Sequence, residues 1–423
     1  MSDLDFNESR HFDVAVIGAG IAGSMAALLC SRAGLRTVLL ERLRFPRDKV
    51  CGCCVNGRAF QILQRAGLEP GLRNLQPTTT SSLAIRYHGR KLNVAMPKSL
   101  AVSRRNMDQW LVEEAVSSGC QFIDNVTASV QPLPSESADL LSEIMDVPAA
   151  DRPNEREIQL QFFNRQTAND KPLAGHEITS ADSRMFSKVI LVCDGLGHPS
   201  LYLIPSFSAE AEVGSRIGLG AVFPRAAADD WIRQGEVLMA VTSNGYAGVV
   251  EIENNQLNLA AAVDATYLKK SKSPLDALAT IFHSAGTPMP QALANATIKG
   301  TIPLTRAARR IAGHRLLLLG DSTGYVEPFT GEGMAWALTA ATAIVPLVVS
   351  TIRDDWSEAI SDRWQSTFTG IVGSQQKICR LLSATLRRPW LLPPIMTAGQ
   401  LFPSLTQQLV SQINCVPEAL KVI

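Results

Sequence analysis

The sequence carries no surplus of either charge: 40 Lys and Arg stand against 39 Asp and Glu, a formal net charge of +1 over 423 residues. That balance excludes the basic stripe of a nucleic-acid-binding protein and the cationic face that a polyanionic substrate would need. Cysteine is sparse, eight in the whole chain, too few for a disulfide scaffold of this length. Cys30, Cys120 and Cys193 lie in apolar runs and read as small core side chains. The first dozen residues are polar and mixed in charge. They lack the basic-then-apolar order of a secretory signal, so a cytoplasmic protein is expected. No internal repeat is visible. One long uncharged run is present, Met334 to Ile352, enough to cross a bilayer by length alone. Pro346, its many alanines and the Gly-rich loop before it favour a buried helix of an α/β core.

What is there begins at Asp13. Residues 13 to 17 form a short apolar run that stops at Gly18-Ala19-Gly20-Ile21-Ala22-Gly23. A helix-like stretch follows, then a second apolar run from Thr37 to Leu40, closed by Glu41 and Arg42. This is a βαβ unit with a glycine turn at the first strand end. Gly18 permits the tight turn, Gly20 lets backbone approach a pyrophosphate, and Gly23 lets helix and strand pack closely. The helix start, at Ile21 and Ala22, offers free N–H groups and a positive dipole end to phosphate. A carboxylate at Glu41 suits ribose hydroxyls. The turn alone does not separate NAD from FAD.

Two later runs also end at turn residues. Val189 to Cys193 stops at Asp194-Gly195, and Leu316 to Leu319 stops at Gly320-Asp321. Both read as buried parallel strands. An aspartate just past a strand end can accept hydrogen bonds from a sugar chain. FAD has a ribityl chain and NAD does not, so Asp321 points to FAD. Pro328, Gly331, Glu332, Gly333 and Met334 then open the long apolar helix, whose positive end would face the flavin.

These segments resemble the flavoprotein superfamily of geranylgeranyl reductases, aromatic hydroxylases and flavin-dependent halogenases. Asp13 to Arg42, Phe45 to Gly52, Val102 to Asp108, Val189 to Ser200 and Gly320 to Gly333 carry the likeness. It implies that Gly18, Gly20, Gly23 and Glu41 hold the ADP half, with Ile21, Ala22 and Arg42 beside them. It implies that Arg104 reaches the pyrophosphate or ribityl region and that Asp194 and Gly195 flank the site. It further implies that Asp321 binds the ribityl chain, and that Pro328, Gly331, Glu332, Gly333 and Met334 wrap the ring. Cys51-Gly52-Cys53-Cys54 is similar to the Cys-Gly pair that lies beside the flavin in the reductase branch, which is the nearest branch. Lys49 could favour a thiolate there. The spacing is too tight for a paired zinc motif, and no metal is expected.

The halogenase Trp-x-Trp-x-Ile-Pro signature is absent. The prenyl reductases' Tyr-x-Trp-x-Phe-Pro segment is replaced by Gly245-Tyr246-Ala247-Gly248. No histidine stands out as a base, so Cys51 and Tyr246 are the catalytic candidates. The expected fold is α/β: a discontinuous Rossmann-like FAD-binding domain (1–75, 101–130, 185–200 and 301–349) and a β-sheet substrate domain (76–100 and 201–300). A polar surface excursion (131–184) and a helical C-terminal region (350–423) complete it. The expected activity is mono-oxygenation of a lipophilic or aromatic small molecule, with NADH or NADPH as transient electron donor. The alternatives are C=C reduction and electron transfer without small-molecule turnover. The Trp390 to Met396 run suits either a pocket cap or a membrane face, so contact with a membrane or an electron-donor protein is a further expectation.

Overall fold

The computed structural model describes residues 10–137, 153–162, 183–327, 329, 331–388, 390–404 and 406–408. Strand β1 (His11–Ile17) lies at the centre of the first sheet, parallel to β2 (Thr37–Leu40) on one side and to Ser183–Val192 on the other. Leu316–Leu318 and Gln121–Ile123 extend this sheet in parallel on its two flanks. Parallel strands are covered on both faces and need unbroken apolar runs, which Val14 to Ile17 and Val189 to Val192 supply. Helix α1 (Ile21–Arg32) is the crossover between β1 and β2 and is buried along most of its length. It packs against α2 (Arg104–Ser117) and α3 (Gly333–Asp354). The alanines of α1 and α3 let these helices approach closely. The long uncharged run is therefore a core helix, with Ala335, Leu338, Ala341 and Ile344 buried against the nucleotide sheet. Start, middle and late parts of the chain meet in one Rossmann-like sheet.

The second sheet runs in the order Lys299–Pro303, Arg216–Pro224, Gln256–Asp264, Gly245–Ile252, Glu236–Thr242, Thr78–Tyr87, Arg90–Ala101, Cys54–Val55. It is antiparallel except where Thr78–Tyr87 meets Glu236–Thr242. Helix Pro274–Ala285 covers one face through Leu278, Ile281 and Phe282. The opposite face looks towards the nucleotide sheet. C-terminal helices α4 (Ser374–Leu386) and α5 (Leu392–Leu401) pack over its edge through Leu386, Leu392 and Met396.

Two boundaries differ from expectation. Arg156–Phe162, inside the expected surface excursion, is a strand of the nucleotide sheet, paired with Val126–Val130 and Ser183–Val192. Its Glu-Ile-Gln-Leu-Gln alternation buries Ile158 and Leu160, and buried Arg156 pairs with Glu136 at 2.7 Å. The remainder of the excursion, 138–152 and 163–182, lies outside the described residues. The expected break at 349 also fails, because α3 continues to Asp354 and ends only where Asp355 takes a left-handed φ of 68°.

Candidate functional site

The glycine turn contains two kinds of glycine. At Gly18, with φ 102°, a Cβ would stand 2.4 Å from the Cys193 carbonyl oxygen; at Gly23 it would stand 1.9 Å from the Gly18 carbonyl oxygen. Both are required by the crossing of α1 over the strands. Gly20 differs. Its nearest neighbours would be Arg104 Nη2 at 3.7 Å and Arg47 Nη2 at 3.9 Å. Open backbone at the start of α1, with no side-chain cap, thus faces two guanidinium groups. Free N–H groups and cations converging on one space make an anion cradle.

The two arginines are held in place by buried acids. Asp108, one turn along α2, receives Arg104 through two bonds of 2.8 Å, and receives Arg47 at 2.9 Å. Arg47 also reaches Glu41 at 3.1 Å, whose Oε2 accepts from the Ala19 N–H. Burial opposes the Arg104 charge, but Asp108 and then Cys51 outweigh it and keep the guanidinium protonated. Glu253, in the turn between Gly245–Ile252 and Gln256–Asp264, accepts from the Ser103 N–H and from Asn106 Nδ2, fixing the start of α2. Arg47 and Asp108 were not singled out from sequence. The i,i+4 spacing of Arg104 and Asp108 on a helix was the available signal.

From this cradle a cavity of about 1740 Å³, mouth included, runs to the second sheet. Of the expected residues, Gly20, Ile21, Ala22, Cys51, Gly52, Arg104, Gly195, Gly320, Asp321, Gly331, Gly333, Met334 and Tyr246 line it. Lys49 binds Asp321 at 3.1 Å across the passage. Gly331, with φ 75°, brings the start of α3 against Cys54, to which a Cβ would come within 3.2 Å.

Other expected residues are placed differently. Glu332 is buried beneath the C-terminal helices, its Oε2 3.5 Å from Cys379 Sγ, because the helix start turns that side chain away from the cavity. Asp194 accepts from the Ser200 N–H and from Ser322 Oγ, which makes it a brace between two loops; burial raises its pKa. Arg42 is exposed and off the cavity wall. Pro328 lies outside the described residues. The histidines, none of them expected as a base, also stay off the wall: His88 and His283 are exposed, and His198 is buried elsewhere, with burial and then Arg306 pushing its pKa down to about 4.

The cysteine cluster is asymmetric. Cys51 is half-buried on the cavity wall, its carbonyl held by Asn258 Nδ2 at 2.9 Å. The Cys53 thiol and the Arg104 guanidinium both favour its anion, and hold Cys51 well below the ordinary thiol range against the effect of burial. Burial pushes Cys54 up to about 12, and the Cys51 charge adds to it. No group of three His, Cys, Asp or Glu able to hold a metal exists among the described residues.

The wall that the second sheet contributes is carved by small residues. Met239, Gly248 and Ala260 are neighbours across three strands, as are Val241, Tyr246 and Ala262. A Cβ at Gly248 would lie 2.7 Å from Met239 Sδ, so the glycine lets that side chain lie across the sheet. Tyr246 is buried, meets Phe329 edge-on at 5.1 Å, and has its phenol pKa raised by burial. Tyr325 is raised likewise.

Residues 11–143 match the FAD binding domain family. The chain is 25% identical to a menaquinone reductase of Mycolicibacterium smegmatis, over 82% of this chain and 78% of that protein. It is 23% identical to digeranylgeranylglycerophospholipid reductase 1 of Methanopyrus kandleri, over 88% and 90% of the two chains. The fold is that of the flavin-dependent brominase Bmp2, with a TM-score of 0.72 at 15% identity over 96% of this chain and 93% of that one. With the phosphate turn, the paired arginines and the cavity in place, the chain is an FAD-dependent oxidoreductase that resembles the superfamily of geranylgeranyl reductases, aromatic hydroxylases and flavin-dependent halogenases.

Proposed function

We propose that this protein oxygenates a lipophilic or aromatic small molecule held between the FAD site and the second sheet. Gly20, Ile21 and Ala22 present backbone to the pyrophosphate, Arg104 and Arg47 neutralise it, and Gly18 and Gly23 shape the turn. Glu41 faces the ribose, Asp321 the ribityl chain, and Gly331, Gly333 and Met334 the ring. The fit rests on Gly20, whose open side is bounded only by two cations. Bound FAD, once reduced, supplies either a hydride or the activation of oxygen. The chain's own residues bind the partner molecule, orient it and keep water away.

The observation that favours oxygenation is the character of the hydroxyls and thiols on the cavity wall. Tyr246 and Tyr325 are pushed up by burial, Cys54 likewise, and Cys51 is held towards its anion. Saturating a C=C bond needs a proton delivered to carbon, and these groups are poor donors. An electron-rich substrate attacked by activated oxygen needs none from them. The second reading, C=C reduction, is favoured by the two reductases that align over most of their length. NADH or NADPH is the electron source in either case. Oxygen uptake by the FAD-loaded protein with NADPH or NADH and a lipophilic phenol should yield one hydroxylated product per O₂. Product formation that continues without O₂ would replace this reading by reduction.

The C-terminal helices supply a route for such a molecule. Leu381, Trp390, Leu401 and Phe402 are 59–70% exposed, and α4 and α5 lie beside the cavity wall. Between Asp362 and Glu418 there is no acid, while Lys377 and Arg388 lie here beside Arg380 and Arg387, which pair with Glu212 and Asp264. Aromatic and apolar side chains with basic neighbours suit an anionic bilayer surface. The protein should sediment with phosphatidylglycerol vesicles and lose this in W390A/L401A/F402A; no preference for these over phosphatidylcholine vesicles would contradict the assignment.

A further inference from the structure

Three thiols stand together on the cavity wall: Cys51, Cys53 and Cys54. They are not equivalent. Cys54 is already engaged: its Sγ donates to the Gly52 carbonyl at 3.2 Å, and burial pushes its pKa up to about 12. Cys51 and Cys53 face each other instead, close enough for the Cys53 thiol to hydrogen-bond the Cys51 anion. Backbone carbonyls brace the pair at both ends. Asn258 Nδ2 donates to that of Cys51 at 2.9 Å, and the Val102 N–H donates to that of Cys53 at 3.1 Å. Between them, a Cβ at Gly52 would meet nothing within 4 Å, so the wall is open beside the pair. Cys53 is held at a left-handed φ of 58°, a conformation that few non-glycine residues adopt and that persists only where the surroundings impose it.

The asymmetry assigns two roles. Cys51 is half-buried, so a small reagent in the cavity meets it first; Cys53 and Arg104 hold it towards the thiolate, the nucleophilic form. Cys53 is buried behind it, and the hydrogen bond to Cys51, then burial, keep its thiol protonated. A reachable thiolate with a second thiol beside it is the arrangement in which oxidation stops at a disulfide. Only Gly52 separates the two. A bridge over one residue closes a small, strained ring that free thiols reopen readily.

We propose that Cys51 and Cys53 form an oxidative modification site, in which hydrogen peroxide in the cavity converts the two thiols into a disulfide. Peroxide is what a flavin releases when it passes electrons to oxygen without a substrate. That source rests on the FAD reading above, whereas the reaction of the pair does not. Cys51 Sγ attacks one peroxide oxygen: an S–O bond forms, the O–O bond breaks and hydroxide leaves, which puts a sulfenic acid on Cys51. Cys53 Sγ then attacks Cys51 Sγ: the S–S bond forms, the S–O bond breaks, and the Cys53 proton leaves with the hydroxyl as water. Two electrons pass from the thiols to peroxide, and a dithiol donor returns them. Oxidation also removes the Cys51 charge from beside Arg104, leaving that guanidinium to Asp108 and the FAD phosphates.

For the test, FAD-loaded and FAD-free protein are treated with hydrogen peroxide, quenched with catalase, alkylated under denaturing conditions and mapped by mass spectrometry. Trypsin cleaves after Lys49 and Arg58, so one peptide, 50–58, carries all three thiols. Without peroxide it should take three alkyl groups. After peroxide it should take one, on Cys54, and be two hydrogens lighter until dithiothreitol restores it. In Cys53→Ser the first step should stand alone. Dimedone, which traps sulfenic acids, should label Cys51 at least about 10-fold more than in the unaltered protein, where Cys53 consumes the intermediate. If Cys53→Ser does not fold, the peptide map of the unaltered protein decides alone. Three alkyl groups after peroxide, a bridge that includes Cys54, or sulfinic acid on Cys51 without a bridge overturns the site. The map of the FAD-free protein keeps this outcome apart from a failure to bind FAD.

Discussion

The two walls of the cavity are made by opposite means. The nucleotide wall consists of backbone and charge: the Gly20 turn, the start of α1, and the arginine pair that Asp108 and Glu41 hold. The substrate wall consists of missing volume: Gly248, Ala260 and Ala262 leave space on the inner face of a sheet whose outer face is closely packed. Each wall should therefore fail in its own way. Damage to the first loses the cofactor, and filling the second loses the substrate while the cofactor stays.

The largest expected effect comes from Gly20→Leu. A Cβ there meets only the ends of Arg104 and Arg47, at 3.7 and 3.9 Å, so Tm should hold while the pyrophosphate is displaced. FAD affinity should fall about a thousand-fold, roughly 4 kcal/mol, measured by flavin fluorescence titration. Unchanged affinity would move the phosphates elsewhere. Next is Asp108→Ala, which strips two guanidinium groups of their shared buried partner. Stability of the FAD-free protein should fall by about 3 kcal/mol in urea titration, because an uncompensated buried charge remains. Added FAD should recover part of it, since the phosphates can stand in for the carboxylate.

Ala260→Leu separates the walls. It adds volume to the Met239–Gly248–Ala260 row and should cost about 1–3 kcal/mol of stability at most. FAD content should stay complete while turnover collapses. Loss of FAD from this variant would show that the two walls are not independent.

The smallest effect concerns pH. Cys51 is held below the ordinary thiol range by Cys53 and Arg104, so its folded pKa is lower than its unfolded one. The stabilisation from its thiolate is complete above the unfolded value, about 8.5, and is lost as pH falls towards the folded value. In FAD-free protein, iodoacetamide at pH 7 should alkylate Cys51 well before Cys54, whose thiol burial keeps protonated up to about 12. Equal labelling, read by mass spectrometry, would remove the anionic thiol from this site.

The contrast also explains what the sequence could show. The nucleotide wall was legible because its chemistry sits at short, fixed spacings: strand, Gly18 to Gly23, helix, Glu41. Gly320-Asp321 and Gly331 to Met334 were legible for the same reason. The substrate wall was not, because Gly248, Ala260 and Met239 are ordinary residues until strand register sets them side by side. Glu332 was misplaced by the converse error: the motif was found, but the direction of its side chain depends on helix packing against Cys379. The strand at Arg156–Phe162 was hidden inside a polar segment whose alternation is only a few residues long.

The central claim is that the Gly18 to Gly23 turn and its two arginines hold FAD. The most direct test is the visible spectrum of the purified protein before and after incubation with FAD and removal of the excess. The expected result is visible flavin absorbance at one FAD per chain, lost in Gly20→Leu. Absence of flavin after incubation, with the protein folded, would contradict it.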